Sequence, residues 1–395
     1  MKRFFPIFVV VFIDLLGFSI ILPLLPYYAS IFQATPTTIG LLIATYSIFQ
    51  FIASPLLGSL SDKYGRKPLL LYSQIGSLIG FLLLASAGSL PYPLVWLFVA
   101  RAIDGLSGGN ITVAQAYISD ITSPEERAKS FGLILGLAFG FSFLIGTGLG
   151  GFLSRYGYTI PAYVAAFFSL CSIISTLLIL PETQNRTAEE RKIPLLYLKA
   201  YTNIDNLRRL YYVFFLFSLF FSLFVTTFAL YADRQLHLTA EQAGYTLAGV
   251  GLLGIIWQGG IVGPLVKRLG ERNALLVGML SSTTGYFSIL LVDEWWKLSF
   301  AAVFISFGNG TIRPSLMSLL TQLAPPQQRG GALGVAASIE SLSRIAAPIL
   351  GGWIVGSLYP SWIGLASGLL AATALFVSMT ISAPEEPGYK VATQQ

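Results

Sequence analysis

The sequence predicts an all-α integral membrane protein, with twelve transmembrane helices arranged as two parallel six-helix bundles. The first observation is composition: 54% of the 395 residues are hydrophobic and 11% are charged, whereas a soluble domain carries about 25% charged residues. The second is a succession of apolar runs, and the third is a repeat of short motifs between the two halves of the chain. Together these observations indicate a chain whose main solvent is lipid.

Twelve apolar runs are interpreted as membrane spans, because a span needs about 20 mostly apolar residues. The first run follows a basic start and continues without a small-residue cleavage site, so it is predicted to be a retained span rather than a signal peptide. The predicted spans cover residues 5–31, 39–60, 68–88, 93–118, 129–153, 159–181, 210–232, 243–265, 273–292, 296–321, 331–356 and 361–382.

A repeat relates the two halves of the chain. Residues 117–132 and 319–334 align with a shift of 202 positions, which places Arg127 on Arg329 and Gly132 on Gly334. Six spans in each half mean that both halves start on the same side of the membrane. The repeat is therefore predicted to be parallel.

The repeat and the basic residues define the predicted domains and topology. The domains are an N-terminal bundle at 1–181, a linker at 182–209, and a C-terminal bundle with a short tail at 210–395. Eighteen of the 24 Lys and Arg residues fall in the tails, the linker and the turns after even-numbered spans. By the positive-inside rule, we expect a multi-pass protein of the cell (inner) membrane, with both termini cytoplasmic.

The composition excludes several kinds of chemistry. Cys171 is the single cysteine and His237 the single histidine, so no internal disulfide, thiolate metal site or histidine-based catalytic site is available. The sequence contains neither a phosphate-binding P-loop nor a nucleophile–base cluster, so we expect no enzyme activity, no cofactor and no metal. Membrane topology explains the net charge of +6, so no nucleic-acid partner is expected.

A charged turn joins the predicted second and third spans. It has the sequence Gly-Ser-Leu-Ser-Asp-Lys-Tyr-Gly-Arg-Lys-Pro at residues 58–68, and a weaker echo occupies 263–272. Gly58 and Gly65 permit close backbone approach and positive φ, and Asp62 is an anion of the kind that a helix N-terminus attracts. A basic loop that only orients the protein is the alternative interpretation.

This turn resembles the signature loop of the major facilitator transporters, and the resemblance extends over nearly the whole chain. It implies two six-helix bundles that alternately open a central chamber to either side of the membrane. It also implies that Asp62 meets the start of span eleven near residues 330–331, and that Arg66 pairs with Asp120. These gating contacts are expected to keep the chamber closed to the cytoplasm.

Asp14 is a carboxyl about ten residues into the first predicted span. A charge at the centre of a span costs roughly 2.5–3.5 kcal/mol, so those that persist are functional candidates. Residues 14–26 follow the pattern Asp-x-x-Gly-x(5)-Pro-x-x-Pro, which resembles the first span of drug:proton antiporters, particularly tetracycline efflux proteins. Because burial disfavours a charged carboxyl and a nearby cation favours it, we predict that Asp14 carries the proton and Arg101 sets its affinity. A static Asp14–Arg101 ion pair or a helix-bending contact is the alternative.

Four further charged residues fall within predicted spans. Asp104 follows Arg101 at i,i+3, and the pair is interpreted as structural. Glu340 and Arg344 are spaced i,i+4 in the favourable order, so a self-neutralising pair is predicted, with a substrate or proton role for Glu340 as the alternative. Arg313, in span ten, is a candidate substrate ligand.

The face expected to line the chamber combines aromatic and neutral polar side chains, which suits an amphipathic or lipophilic organic molecule. Each of these residues, taken alone, is also compatible with helix packing or lipid contact. The predicted substrate-binding residues are Tyr46, Gln50, Asn110, Gln115, Trp257, Gln258, Asn309, Arg313 and Glu340, with apolar surface from Phe18, Phe139, Phe220 and Phe224.

The sequence also departs from the tetracycline antiporters it resembles. Span five ends with Gly-Thr-Gly-Leu-Gly-Gly, where Thr147 replaces the proline of the antiporter motif, while Pro348 precedes a Gly-Gly pair in the second half. Those proteins carry an acid in span three and another in span nine, where this chain has Gly80 and an acid-free stretch at 273–292. A drug that travels as a metal chelate needs such carboxylates, so tetracycline itself is a poor candidate.

The sequence therefore favours a secondary transporter that exports lipophilic or amphipathic small molecules in exchange for protons, by alternating access and as a monomer. A proton symporter or facilitator for a nutrient, such as a sugar or an organic acid, is the alternative. A membrane-embedded enzyme and a non-transporting receptor are further classes. The first lacks a catalytic cluster, and the gate turn together with Asp14 argues against the second.

Overall fold

The computed structural model describes residues 4–122, 127–183, 205–324 and 329–381. Within these ranges all regular secondary structure is helical, as predicted for an all-α membrane protein. Most of the predicted linker, residues 184–204, and the predicted tail at 382–395 lie outside the described residues.

The first six spans are built from eight helices. Span one consists of Phe5–Ile21 and Leu25–Ile31, which are bent by 41° next to Pro23, a residue that cannot donate a backbone N–H. Span four consists of Pro93–Ser107 and Asn110–Asp120. Spans two, three, five and six are Pro36–Tyr64, Arg66–Ser86, Arg127–Leu153 and Thr159–Ile179.

The last six spans begin with Asp205–Leu236. Span eight starts at Ala240 and passes through a π-helical turn, Trp257–Ile261, into the helix Val262–Ser288. That helix is broken at Gly270, whose φ of 74° is not helical, so residues before the break complete span eight and those after it form span nine. Spans ten, eleven and twelve are Leu298–Leu323, Arg329–Ser357 and Trp362–Met379.

Length and apolarity alone identify fewer spans than the topology contains. Among the described residues, eight helices are long and apolar enough to cross a membrane, or nine when the bent pair of span one is counted. One of them, Ala240–Leu291, is two spans because of the break at Gly270. Spans four and ten complete the set of twelve: the first is interrupted at Gly108–Gly109, and both carry ionisable side chains.

The buried apolar side chains form a different core in each half. The first half has two separate clusters, one around Ile20 and Phe81 and the other around Leu57 and Tyr117. The second half has one continuous cluster that runs through spans seven to twelve and also takes in Leu24 and Tyr27 of span one. Large apolar side chains also cover much of the exposed surface, as is expected for helices that face lipid.

The halves contact each other mainly through two pairs of spans. We call the end of the bundle where span one begins and span twelve ends the terminal face, and the opposite end the distal face. Span five packs on span eight: a Cβ added to Gly151 would lie 3.1 Å from the Cα of Gly244. Span two packs on span eleven in the same way, since a Cβ added to Gly352 would lie 3.0 Å from the Cα of Gly40.

These contacts lie in the distal half of the spans and extend to their middle, where Gly140 meets Ile255. Closer to the terminal face, a Cβ added to Gly136, Gly260 or Gly334 would have open space around it. The halves therefore close a chamber at the distal face and separate toward the terminal face.

Candidate functional site

Arg66 is the centre of the charged turn at the terminal face. Its Nε donates to Asp120 Oδ2 at 2.9 Å, and its Nη1 lies 2.6 Å from Asp62 Oδ1 and donates to Ser61 Oγ at 2.6 Å. The Arg66 side chain is 8% exposed, whereas those of Asp62 and Asp120 are 43% and 27% exposed, so the guanidinium is shielded from water more than its acidic partners are. The predicted Arg66–Asp120 contact is confirmed, but it forms while the halves are apart at the terminal face, so this pair does not by itself keep the chamber closed there.

Glu182, directly after span six, anchors the same turn. Its carboxylate accepts hydrogen bonds from the backbone N–H groups of Arg66, at 3.0 Å, and Lys67, at 3.1 Å. These donors open the third span, where a helix has unpaired N–H groups and a partial positive charge. Gly65 has a φ of 106°, and a Cβ there would lie 2.6 Å from Glu182 Oε2, so this contact requires glycine.

Local helix geometry places Asp62 and Gly58 in this conformation. Asp62 pairs with Arg66 one helical turn away; residues 325–328, which precede span eleven, lie outside the described residues, so the contact of Asp62 with the start of that span stays a prediction. Gly58 does not adopt positive φ, because the helix of span two continues to Tyr64. A Cβ at Gly58 would lie 3.4 Å from Thr112 Cγ2, an ordinary van der Waals contact.

The corresponding turn of the second half is held by different polar side chains. Gly270, with a φ of 74°, has a positive φ as Gly65 does. Glu271 Oε1 accepts a hydrogen bond from Gln322 Nε2 at 2.9 Å. The Glu271–Gln322 pair thus stands where the first turn has the Arg66–Asp120 pair. Arg272 Nη2 donates to the carbonyl of Met379 at 2.9 Å, which ties span nine to the end of span twelve.

Asp14 faces span four from the first span and accepts a short hydrogen bond from Asn110 Nδ2. The Asn110 side-chain oxygen in turn accepts from the backbone N–H of Ile111 at 3.0 Å, which fixes the amide with its donor toward Asp14. Among the described residues, Asp14 forms no ion pair. The charged group that acts on it electrostatically is Asp104, which is also an anion.

Arg101 and Asp104 form a buried ion pair at 3.1 Å, with each side chain 5% exposed. Ser77 Oγ donates to Asp104 Oδ1 at 2.8 Å, and the Arg101 guanidinium lies over the ring of Tyr46 at 4.7 Å. The i,i+3 pair predicted from the sequence is confirmed. The alternative of a direct Asp14–Arg101 ion pair is wrong here, because Asp104 holds the guanidinium.

Gly80 explains one departure from the tetracycline antiporters. A Cβ at this position in span three would lie 2.9 Å from Asp104 Cβ and 3.1 Å from the carbonyl oxygen of Ala100. A longer side chain has no space there. The carboxyl beside this point is supplied by span four instead of span three.

Tyr46 stands between the polar groups of the two halves. Its hydroxyl accepts from Gln50 Nε2 at 3.0 Å, and the same amide donates to the Gly108 carbonyl at 2.8 Å in the break of span four. Phe18 packs on the Tyr46 ring with a centroid distance of 5.3 Å. Tyr46 also interacts electrostatically with Arg344 of the opposite half.

Glu340 lies between two arginines in the second half. Arg313 of span ten donates hydrogen bonds from Nη1 to Glu340 Oε1 at 3.2 Å and from Nη2 to Glu340 Oε2 at 3.1 Å. Arg344 Nη2 donates to Glu340 Oε1 at 2.6 Å. The Arg313 and Arg344 side chains are 46% and 44% exposed, whereas Glu340 is 18% exposed. The predicted Glu340–Arg344 pair is confirmed, and Arg313 makes it a triad that joins two spans.

The remaining predicted substrate ligands have mixed surroundings. Trp257 and exposed Gln258 belong to the π-helical turn, a feature that often marks functional sites, and Trp257 Nε1 donates to Ser306 Oγ at 3.2 Å. Asn309 Nδ2 donates to Tyr286 Oη at 3.5 Å. Gln115 is exposed.

Two aromatic residues expected on the chamber face are instead part of a core. Phe220 and Phe224 are 0% and 5% exposed, and each packs edge-on against Tyr286 with a centroid distance of 5.3 Å. Phe139 is 44% exposed and stacks on Phe143 of the same helix. Sequence does not fix the rotation of such uniformly apolar helices, so their buried face could not be predicted.

Comparisons with known proteins agree with this architecture. The chain is 28% identical to tetracycline resistance protein, class C, of Escherichia coli, over 90% of each protein. It is 28% identical to multidrug resistance protein 2 of Bacillus subtilis, over 87% of this chain and 86% of the relative.

Solved structures share the fold at lower identity. A D-xylose-proton symporter superposes with a TM-score of 0.77 and 16% identity, covering 96% of this chain and 98% of the other. The human organic anion transporter MFSD10 (TETRAN) superposes with a TM-score of 0.71 and 23% identity, covering 95% and 99%. The family model of the Major Facilitator Superfamily matches residues 7–295 and 260–394, so the chain belongs to the Major Facilitator Superfamily.

Proposed function

We propose that this protein exports lipophilic or amphipathic small molecules in exchange for protons, by alternating access of one central chamber. The observation that carries the proposal is Asp14, a mid-span carboxyl bound by the neutral donor Asn110 and without an ion-pair partner among the described residues. A charged carboxyl in this position is costly. It is therefore suited to bind a proton, or a cationic group that takes the proton's place.

The proposed orientation has both termini in the cytoplasm of a cell whose inner membrane holds the protein. The terminal face is then cytoplasmic, and the chamber described above is open to the inside. In this state a substrate enters from the cytoplasm, or from the inner leaflet, while Asp14 releases its proton. Return of the empty carrier requires Asp14 to be protonated again from the outside.

The charged turn supplies the proposed cytoplasmic gate. In the inward-open state Asp62 is held by Arg66, and Arg66 also holds Asp120. When the terminal face closes, we expect Asp62 to exchange this partner for the N-terminus of span eleven, whose unpaired N–H groups attract an anion. Arg66 keeps Asp120 throughout and positions Asp62 for the exchange.

The chamber surface supports an amphipathic substrate. Tyr46, Phe18 and Trp257 supply aromatic surface, and Gln50 and Gln258 supply neutral polar groups. Curated relatives that the chain covers almost completely are tetracycline and multidrug resistance proteins. The family consists of transporters, not enzymes. We propose a monomer whose partners are the substrate, protons and the lipid bilayer, and not nucleic acid.

Transport into proteoliposomes tests this function. Liposomes with an acidic interior should accumulate ethidium or a fluoroquinolone in exchange for outgoing protons, and collapse of the gradient should stop the accumulation. Failure of both compounds to move would overturn the proposal. Gradient-driven movement of a sugar or organic acid together with protons would instead support the nutrient-symporter alternative.

A further inference from the structure

The chamber carries two charge clusters of opposite sign, one in each half, and we propose that it recognises substrates that contain both a basic and an acidic group. This inference rests on the proposed transport function and names the class of molecule transported. The basic group of the substrate binds at Asp14, and the acidic group binds at Arg313 and Arg344.

The cluster of the first half is negative. It contains the two carboxyls of Asp14 and Asp104 and the single guanidinium of Arg101. Because Arg101 is paired with Asp104 at 3.1 Å, the uncompensated charge belongs to Asp14. A proton or a substrate cation can neutralise it.

The cluster of the second half is positive. Arg313 and Arg344 share the one carboxylate of Glu340, so one guanidinium charge is left over. Both arginine side chains are nearly half exposed, at 46% and 44%. Their remaining N–H donors are available to a carboxylate, the acceptor that guanidinium groups bind best.

The two clusters meet at Tyr46. On one side the Arg101 guanidinium lies over its ring at 4.7 Å. On the other side span two, which carries Tyr46, packs on span eleven, which carries Arg344, so closely that a Cβ added to Gly352 would lie 3.0 Å from the Cα of Gly40. A molecule lying along the Tyr46 and Phe18 rings therefore reaches both clusters. A substrate with one charge would satisfy one cluster and leave the other unpaired in a low-dielectric chamber, where unpaired charge is unfavourable.

The same arrangement explains how protons and substrate are exchanged. The polar groups around Asp14 are Asn110 and Asp104 of span four and Tyr46 of span two. None of them supplies a cation to Asp14, because Asp104 holds Arg101. The basic group of the substrate and the proton therefore compete for one carboxyl, while the acidic group binds elsewhere and does not compete.

A matched set of three probes tests the inference. Norfloxacin carries a secondary amine and a carboxylate, its methyl ester keeps only the amine, and its N-acetyl derivative keeps only the carboxylate. Proton-driven transport of each is measured in proteoliposomes, with empty liposomes and the Asp14→Asn variant as blanks. We expect kcat/KM for norfloxacin to exceed that of either derivative by about ten-fold to a hundred-fold, the usual effect of losing a hydrogen bond to a charged group.

Arg344→Gln tests the positive cluster separately. This change leaves the Arg313–Glu340 pair in place, so it removes the excess charge without exposing an unpaired carboxylate. The preference for norfloxacin over its ester should fall about ten-fold, while the preference over the N-acetyl derivative should persist. Lys297→Gln, which removes a partly exposed cation outside the chamber, is the matched control and should change neither ratio.

The outcomes separate this inference from the transport function itself. If ethidium moves but the three fluoroquinolones move equally well, or norfloxacin moves least, transport stands and the inference fails. The inference also fails if Arg344→Gln and Lys297→Gln behave alike, because the clusters then neutralise each other without the substrate. If neither ethidium nor any fluoroquinolone moves, the transport function fails.

Discussion

The two halves of the chain share one fold but distribute their charged side chains in opposite ways. In the first half the Arg101–Asp104 pair is buried, with side chains 5% exposed, and the apolar core is divided into two clusters. In the second half the apolar core is continuous. Its triad keeps both arginines nearly half exposed.

This difference indicates that duplication was followed by specialisation. Buried charges with fixed partners cannot bind a large organic molecule, but they can hold the surroundings of a proton-binding carboxyl rigid. Exposed arginines can bind a substrate directly. We infer that the first half exchanges the proton for the basic group of the substrate, and that the second half binds the acidic group.

The largest effect is expected when the carboxyl of Asp14 is removed. Asp14→Asn should reduce gradient-driven transport to the level of empty liposomes, because the amide can neither exchange a proton nor pair with the basic group of the substrate. Glu340→Gln, the matched change in the second half, should alter substrate affinity and retain the response to the gradient. The division between the halves would be wrong if Asp14→Asn kept pH-driven accumulation or Glu340→Gln lost it.

The second test compares the stability of the two charged groups. Asp104→Ala leaves Arg101 buried without a partner, which should destabilise the protein by about 3–5 kcal/mol. Arg344→Gln breaks a half-exposed pair, so its effect should be less than about 1 kcal/mol. The measurement is the midpoint of thermal unfolding in detergent. The control is the double variant Arg101→Gln with Asp104→Ala, which should recover part of the stability that Asp104→Ala loses. Equal shifts for Asp104→Ala and Arg344→Gln would contradict the contrast in burial.

Sequence predicts the architecture well because its signals are local and repeated. The apolar runs, the shift of 202 residues and the glycines of the two turns are visible without any tertiary information. The same is true of the i,i+3 pair Arg101–Asp104 and the i,i+4 pair Glu340–Arg344, because helix geometry alone brings such residues together.

Contacts between distant segments could not be predicted in this way. The Asp14–Asn110 and Glu182–Arg66 hydrogen bonds join residues 96 and 116 positions apart. Arg101 was expected to act on Asp14, but the nearer Asp104 holds it. An acid that directly follows span six, on the same side as the charged turn, is the signal that could have identified Glu182.

The third test uses the distal contacts, where the two halves are alike. Gly151 and Gly352 each pack against the opposite half, and an added Cβ would lie 2.9 Å from the carbonyl oxygen of Glu241 and 2.5 Å from that of Pro36, respectively. Each Gly→Ala change should disfavour the distal-closed state by about 1–3 kcal/mol, a shift of about 5- to 150-fold in population.

Distances between spin labels at the distal ends of spans two and eleven measure this shift. Gly151→Ala and Gly352→Ala should move the population in the same direction and by similar factors. Gly136→Ala, where an added Cβ meets open space, is the control and should leave the distances unchanged. A large effect of one distal substitution and none of the other would show that the halves differ here as well.

The smallest test concerns how each half anchors its turn at the terminal face. The first half uses the Glu182 carboxylate on the N-terminus of span three, and the second uses Arg272 on the last carbonyls of span twelve. Glu182→Gln keeps an acceptor but loses the charge that interacts with the helix dipole, so about 0.3–1 kcal/mol of stability should be lost. Arg272→Gln removes a donor to backbone carbonyls and should have an effect of similar size. Because salt screens a charge beside a helix end, the shift in the unfolding midpoint caused by Glu182→Gln should shrink as ionic strength rises. A shift that does not depend on salt would mean that Glu182 acts only through hydrogen-bond geometry and not through its charge.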